Sequence, residues 1–316
     1  MIPNKVDQSS IESGNWITIG AFDGVHLGHR ELIRQLVSGA HCVGKRAIVI
    51  TFFPHPSEIL GGENGPLYLT IPSERECLLK HLGVDIVITQ DFNSELAHKT
   101  AGEFINIIYQ KTPFSNLIIG HDFRFGLNRT GDLKLLQKLG KELGFNIKVV
   151  QPFRIDDKIV SSSLIRCLLK QGNVQMAADM LGRHYVIEGS VIHGDGRGKH
   201  IGIPTANISV WPKQFLPKIG VYSVRVSLEE YNYPAVLSIG MRPTFYQSSS
   251  EQTIEAHILD FHRDIYGKTL KVEFIQFLRE EKRYESAEQL IQQIQRDIQQ
   301  TREVFKHATT TTNLSS

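Results

Sequence analysis

The sequence predicts an α/β domain built on a parallel sheet, followed by an all-β unit that ends in one helix. Two observations carry this reading. The first half alternates short apolar runs with amphipathic helical stretches, the pattern of a parallel sheet covered on both faces. Beyond Leu181-Gly182-Arg183-His184 the apolar runs succeed one another without helices between them, as in an antiparallel sheet or closed barrel.

In chain order, strands are expected over residues 16–20, 47–52, 86–89, 116–120 and 147–150, each a short apolar run. Helical patterns lie between them over 29–37, 73–82 and 133–143. In the second of these, Leu78, Leu79 and Leu82 share one face. The later strands are expected over 185–192, 220–226, 235–239, 253–259 and 270–278. Tyr222, Val224 and Val226 alternate with Ser223 and Arg225, the period of a half-buried strand. Ser286-Ala287-Glu288-Gln289 reads as a capping box opening the last helix, with Leu290, Ile291, Ile294 and Ile298 as its apolar stripe. The expected domains are 1–183 and 184–308, with a polar, Thr-rich, disordered tail over 309–316.

At 316 residues, with 41% hydrophobic and 22% charged residues, the chain has material for two cores. A net charge of +2 argues against a dedicated nucleic-acid binder. Cys42, Cys77 and Cys167 stand far apart, which argues against a disulfide framework or a zinc site and fits a reducing compartment. The N-terminus shows no signal-peptide pattern, and no run approaches the ~20 apolar residues of a membrane span. The expectation is a cytoplasmic monomer or weak homo-oligomer whose partners are small molecules, with no nucleic acid and no membrane.

Two stretches carry chemistry. The first is Phe22-Asp23-Gly24-Val25-His26-Leu27-Gly28-His29, directly after a strand end, where ligands of open α/β sheets bind. If a helix begins near Val25, both imidazoles lie on one face of its first turn. Gly28 lets a ligand approach the backbone, and the helix start offers N–H groups to an anion. The set suits charge building on the α-phosphate of a nucleotide, although a bare histidine pair is more often solvated or capping. Ser161-Ser162-Ser163 before Leu164-Ile165-Arg166 reads as a helix cap that could hold pyrophosphate, with Arg166 as a fork of donors.

The second stretch is Gly194-Asp195-Gly196-Arg197-Gly198, followed by Gly202-Ile203-Pro204-Thr205-Ala206-Asn207. The alternating Gly194, Gly196 and Gly198 could wrap phosphates with backbone N–H groups, or form a plain hairpin turn. Thr205 and Asn207 each present a side-chain oxygen, which magnesium could use together with ATP phosphates and waters. Glu255, in a strand, could accept a hydroxyl proton during phosphoryl transfer, with Asp260 as the competing carboxylate.

Together, residues 22–29 and 161–166, with Thr51-Phe52-Phe53-Pro54-His55-Pro56 and residues 120–126, resemble the FMN adenylyltransferase module of bacterial bifunctional riboflavin kinase/FAD synthetases. That module belongs with the HxGH nucleotidyltransferases, whose domain is Rossmann-like. The resemblance implies that His26, His29 and Arg166 are catalytic. It also implies that Gly20, Phe22, Asp23, Gly24, Gly28, Ser162 and Ser163 bind ATP or phosphate, and that Asp122 meets the flavin. Ser163 stands where the family usually has Thr.

Residues 194–207, 220–222, 240–245, 255–261 and 266–268 resemble the riboflavin kinase module, a six-stranded barrel. This implies Thr205 and Asn207 as Mg2+ ligands, Glu255 as the catalytic base and Arg279 near the flavin. Ile203, Ser238 and His262 depart from the common residues at their positions. The implied function is ATP-dependent phosphorylation of riboflavin to FMN, then adenylylation of FMN to FAD with release of pyrophosphate.

Overall fold

The computed structural model describes residues 14–61, 67–194, 202–242 and 251–312. The chain forms two compact units that divide between Ser162 and Ser163.

The first unit is a five-stranded parallel sheet of β1 (Asn15–Ile19), β2 (Ala47–Phe53), β3 (Ile86–Asp91), β4 (Phe114–Gly120) and β5 (Asn146–Val150), in the order β3-β2-β1-β4-β5. β2 is buried at all but its last residue, as a central parallel strand between two helical layers must be. One core joins Ile17, Ile19, Ile50 and Ile119 to Phe104 and Ile105 of α5 (Ala101–Lys111) and Leu136 of α6 (Leu133–Leu143). The other joins Val49, Val87 and Ile118 to Ile33 and Leu36 of α1 (Leu27–Cys42) and Leu79 of α3 (Pro72–His81). Strand alternation thus feeds both faces. The short helices α2 (Pro56–Gly61) and α4 (Ser94–Ala97) lie in the connections.

Helix α5 was not among the expected elements. Its signal is a capping box: Thr100 Oγ1 accepts the Glu103 N–H at 3.3 Å, and Glu103 accepts the Thr100 N–H at 2.8 Å. The strand order reverses between β1 and β4, so their carboxyl ends frame the crevice where such sheets bind ligands.

After a small hairpin, β6 (Arg154–Ile155) and β7 (Lys158–Ile159), come α7 (Ser162–Lys170) and α8 (Val174–Leu181). The second unit is a closed, six-stranded antiparallel barrel of β8 (Tyr185–Ile192), β9 (Ala206–Val210), β10 (Gly220–Leu228), β11 (Tyr231–Arg242), β12 (Glu251–Ile258) and β13 (Thr269–Arg279), ordered β10-β11-β12-β9-β8-β13. Tyr222, Val224 and Val226 are fully buried, while Arg225 pairs outside with Glu273 at 2.8 Å. Ser223 is buried too, unlike the expected alternation. β10 is covered from outside by α9 (Ala287–Thr312), which packs on β10 and β11.

The α9 cap forms by halves. Ser286 Oγ accepts the Gln289 N–H at 3.3 Å, but Gln289 Oε1 accepts from Glu285 N–H at 3.4 Å. Leu290, Ile291, Ile294 and Ile298 are only half-buried, whereas Asp297 and Thr301 are the deepest residues of the helix. The helix takes in residues 309–312 of the expected tail; residues 313–316 lie outside the described set. Cys42, Cys77 and Cys167 are free thiols.

Closure of the barrel depends on Gly189, where an added Cβ would sit 2.4 Å from the Ser209 carbonyl oxygen of the paired strand β9. Backbone cannot step aside as a side chain can. Gly189→Ala is expected to destabilise the protein by about 1–3 kcal/mol, read as a fall of several degrees in melting temperature.

Candidate active sites

The loop after β1 is built around unusual backbone. Phe22 (φ 49°), Gly24 (φ 83°) and Val25 (φ 41°) all occupy left-handed conformations, which a β-branched valine rarely adopts. Three anchors hold the loop. The Asp23 carboxylate, 1% exposed, accepts the Leu69 and Thr70 N–H groups at 3.0 and 3.1 Å. Thr70 Oγ1 in turn accepts the Gly24 N–H at 3.1 Å. Ser162 Oγ, at the start of α7, donates to the Asp23 carbonyl at 2.8 Å. Asp23, Gly24 and Ser162, expected at the phosphates, therefore have these groups engaged in shaping the loop. Gly20 N–H is likewise engaged, by Ile50 O at 3.0 Å in the sheet.

The loop delivers His26 to the N-cap of α1. Its Nδ1 accepts the His29 N–H at 3.3 Å, which places the proton of a neutral His26 on Nε2. The capping role weighed for the pair is thus real for His26. The two imidazoles stack with centroids 3.6 Å apart and planes 17° from parallel, and the Phe22 ring meets His29 edge-on. Gly28 allows this: a Cβ there would come within 3.2 Å of the His26 ring. His29 reaches solvent in part, but its Nδ1 is buried and has no hydrogen-bond partner among the described residues. Burial, then His26, then Arg75 hold the His29 pKa well below its ordinary value. Two charges on a stacked pair would repel, and with burial this holds His29 as a neutral imidazole near neutral pH.

Asp122 is exposed in the loop after β4, with His121 Nδ1 3.9 Å from its carboxylate. It lies at the carboxyl end of the strand next to β1. Ser163 and Arg166 lie in the first turns of α7 and fall in the second unit.

In the barrel, β12 pairs with β9 so that Glu255 stands opposite Asn207, and with β11 so that it stands opposite Ser238. Thr205 and Asn207 project to the same side, two residues apart. The Thr205 hydroxyl donates to Glu255 Oε2 at 3.1 Å. The His257 ring, on the same face of β12 as Glu255, contacts the Pro204 carbonyl through Nδ1 at 2.8 Å, steadying the segment that carries Thr205. Gly194 packs against Asn207: a Cβ there would fall 2.1 Å from the amide nitrogen. A cavity of about 460 Å³ adjoins, lined among others by Val191, Pro204, Thr205, Ala256, Ile258 and Tyr266, within the size range of small-molecule sites. Gly196 and Gly198 lie outside the described residues.

Two of the residues named from the sequence are ion-paired to α9. Asp260, the competing carboxylate, is bound by both Nη atoms of Arg302 at 2.7 and 2.8 Å and is tied to α9. Arg279, expected near the flavin, donates to Asp297 from Nε at 3.0 and 3.1 Å and from Nη2 at 2.7 Å, and to Glu280 O from Nη1. Its fork is committed to anchoring α9. Among the described residues no group of three or more His, Cys, Asp and Glu is placed to hold a metal ion. The oxygens of Thr205, Asn207 and Glu255 are of the hard, sparse type that Mg2+ accepts when phosphates complete its shell.

Comparison with known proteins aligns with these two clusters. The FAD synthetase family model matches residues 8–164, and the riboflavin kinase family model matches residues 181–305. The bifunctional riboflavin kinase/FMN adenylyltransferase of Escherichia coli (strain K12) is 38% identical over 93% of this chain and 94% of its own. That of Bacillus subtilis (strain 168) is 34% identical over 92% of each. A crystal structure from Streptococcus pneumoniae, described as a macrolide-efflux protein, superposes with a TM-score of 0.84 at 32% identity, covering 93% of this chain and 96% of that one. Among the described residues here no helix is long and apolar enough to cross a membrane.

The partly buried His29 makes stability depend on pH. Its folded pKa lies below its ordinary value of 6.5, so between the two the unfolded chain binds more protons. Its contribution is complete above about pH 6.5 and is lost as pH falls toward the folded value. Melting temperature is expected to fall on acidification from about pH 6.5 to 5, less steeply in His29→Asn than in the native protein.

Proposed function

This chain belongs to the bifunctional riboflavin kinase/FMN adenylyltransferase family, and from that premise we propose how its residues share two consecutive reactions. The enzyme phosphorylates riboflavin to FMN with ATP and adenylylates FMN to FAD with release of pyrophosphate. The observation that carries the division of labour is that each family match falls on one structural unit with its own cluster of polar groups. We place the functional boundary at residues 183/184, with α7 serving the adenylyl-transfer half.

In the barrel, Glu255 takes the proton of the ribityl 5′-hydroxyl as that oxygen attacks the γ-phosphorus of ATP, and ADP leaves. The Thr205 hydroxyl holds this carboxylate, and strand register sets it opposite Asn207 and Ser238, which supports the assignment. Thr205 and Asn207 would hold Mg2+. When bound, the ion neutralises charge on the phosphates being transferred. Phosphate wrapping by the segment containing Gly194, Gly196 and Gly198 belongs to the same reading.

In the α/β unit, a phosphate oxygen of FMN attacks the α-phosphorus of ATP and pyrophosphate leaves. That phosphate is already ionised near neutral pH, so this half needs donors and positive charge in place of a base. His26, with its proton on Nε2, His29 and the start of α1 supply donors at the α-phosphate. Ser162, Ser163 and Arg166 serve the leaving pyrophosphate, and Asp122 meets the flavin. Arg279, held at the end of β13 by Asp297 of α9, stands near the flavin. A cytoplasmic monomer or weak homo-oligomer with small-molecule partners completes the reading.

Chromatographic separation of products from riboflavin, ATP and Mg2+ tests the division. His29→Ala is expected to lower FAD formation by about 100-fold or more while FMN formation persists. Glu255→Gln is expected to lower FMN formation by about 100-fold or more while supplied FMN is still converted to FAD. A folded variant that loses both activities would sink the assignment. Gly194→Ala displaces the Asn207 amide, so it is expected to impair FMN formation selectively, seen as a higher Mg2+ requirement in the same assay.

A further inference from the structure

Arg75 is the largest fully buried side chain of the described residues, at 1% exposure, and no step above uses it. It sits in the first turns of α3. Its Nη1 donates to Ala21 O at 3.1 Å and its Nη2 to Phe52 O at 3.0 Å, while Nε has no partner among the described residues. Ala21 O also accepts from Thr51 Oγ1 at 3.0 Å. One guanidinium thus bridges the loop that follows β1 and the last residues of β2. Ala21 precedes left-handed Phe22, whose ring lies edge-on to His29. Phe52 is one residue from the Phe53-Pro54-His55 turn, whose His55 N–H donates to buried Tyr68 at 2.7 Å.

Burying a cation for packing alone is unfavourable, and an apolar side chain would fill the space with less desolvation. The planar fork does what an apolar residue cannot: it accepts a fixed geometry from two carbonyls on different loops. The titratable groups that act on it are Asp23 and the neutral Tyr68 phenol, and it acts in turn on His29, against which His26 stacks.

We propose that Arg75 is a positioning residue for adenylyl transfer: without touching substrate, it locks the loop after β1 to the end of β2 and so sets where the histidine pair stands. The inference rests on the assignment of adenylyl transfer to the His26/His29 site. Arg75 holds the strained peptide at Phe22 in place, and its fixed charge favours the neutral imidazole of His29.

The test uses full-length Arg75→Met and Arg75→Lys, with FMN formation by the barrel as an internal standard. At saturating substrates, kcat for FAD formation is expected to fall about tenfold or more in Arg75→Met, with KM for ATP changed much less. The His29 imidazole, followed by NMR against pH, is expected to titrate at higher pH in Arg75→Met and near the native pH in Arg75→Lys. Lysine restores the charge but cannot bridge both carbonyls, so kcat is expected to recover only in part. A native kcat in Arg75→Met, or a His29 titration that ignores the charge at position 75, overturns the proposal. If Arg75→Met does not fold, Arg75→Lys decides alone: full native kcat overturns it, and reduced kcat with native His29 titration supports it. Native protein that makes FMN but no FAD would instead count against the assignment of the histidine site.

Discussion

A carboxylate removed from water must be matched by donors, and the matching of Asp23 governs the nucleotide end of this protein. Its partners are backbone N–H groups of residues 69 and 70, so the loop after β1 is stitched to a segment 46 residues away. Phe22 and Val25 keep left-handed backbone because such stitches outweigh a local cost of about 1–3 kcal/mol each. Release the carboxylate, and the sharp turn onto α1 loses the anchor that ties it to residues 69 and 70. The histidine stack, the His26 cap and the room left by Gly28 all follow from that turn.

The barrel reaches its geometry differently. No strained loop is needed to bring Asn207, Ser238 and Glu255 together, because strand register does so, and Thr205, just before β9, reaches Glu255 through its hydroxyl. Side chains on one face of paired strands are neighbours by construction, and a slip of one residue would send them to the other face. One site is therefore an achievement of loop anchoring and the other of sheet pairing. On the proposed reading this fits their tasks: the first would surround a nucleotide phosphate with donors, while the second would present a few oxygens at fixed spacing.

Legibility in the sequence tracked periodicity. β8 and α6 match their expected limits because apolar patterning and turn residues mark both ends. The histidine pair stood out in a local motif, whereas Glu255 was singled out only through the resemblance to the riboflavin kinase module. What the motifs could not show was which groups face inward. Asp23 and Gly24 sit in the motif yet bond to Thr70, a partner no local pattern reveals. Arg75 left a trace, since it lies one turn before Leu78 and Leu79 on the face that α3 buries, where a charged residue is out of place. The stripe of α9 misled in the opposite sense, because the deepest positions are Asp297 and Thr301 and not the aliphatic residues. The partner that holds Arg279, Asp297, is 18 residues on, beyond the reach of a local motif.

An aliphatic stripe is an adhesive without a scale: a helix held by leucines can slide along a barrel by one turn and bury nearly the same area. α9 is keyed instead. A slide of one turn, about 5.4 Å, would strand Asp297 away from Arg279 and Arg302 away from Asp260, leaving a buried carboxylate without its cation. The two pairs act as notches on a ruler, one at the end of β13 and one beyond the end of β12. They give the last helix a single longitudinal setting that half-buried aliphatic residues alone do not specify.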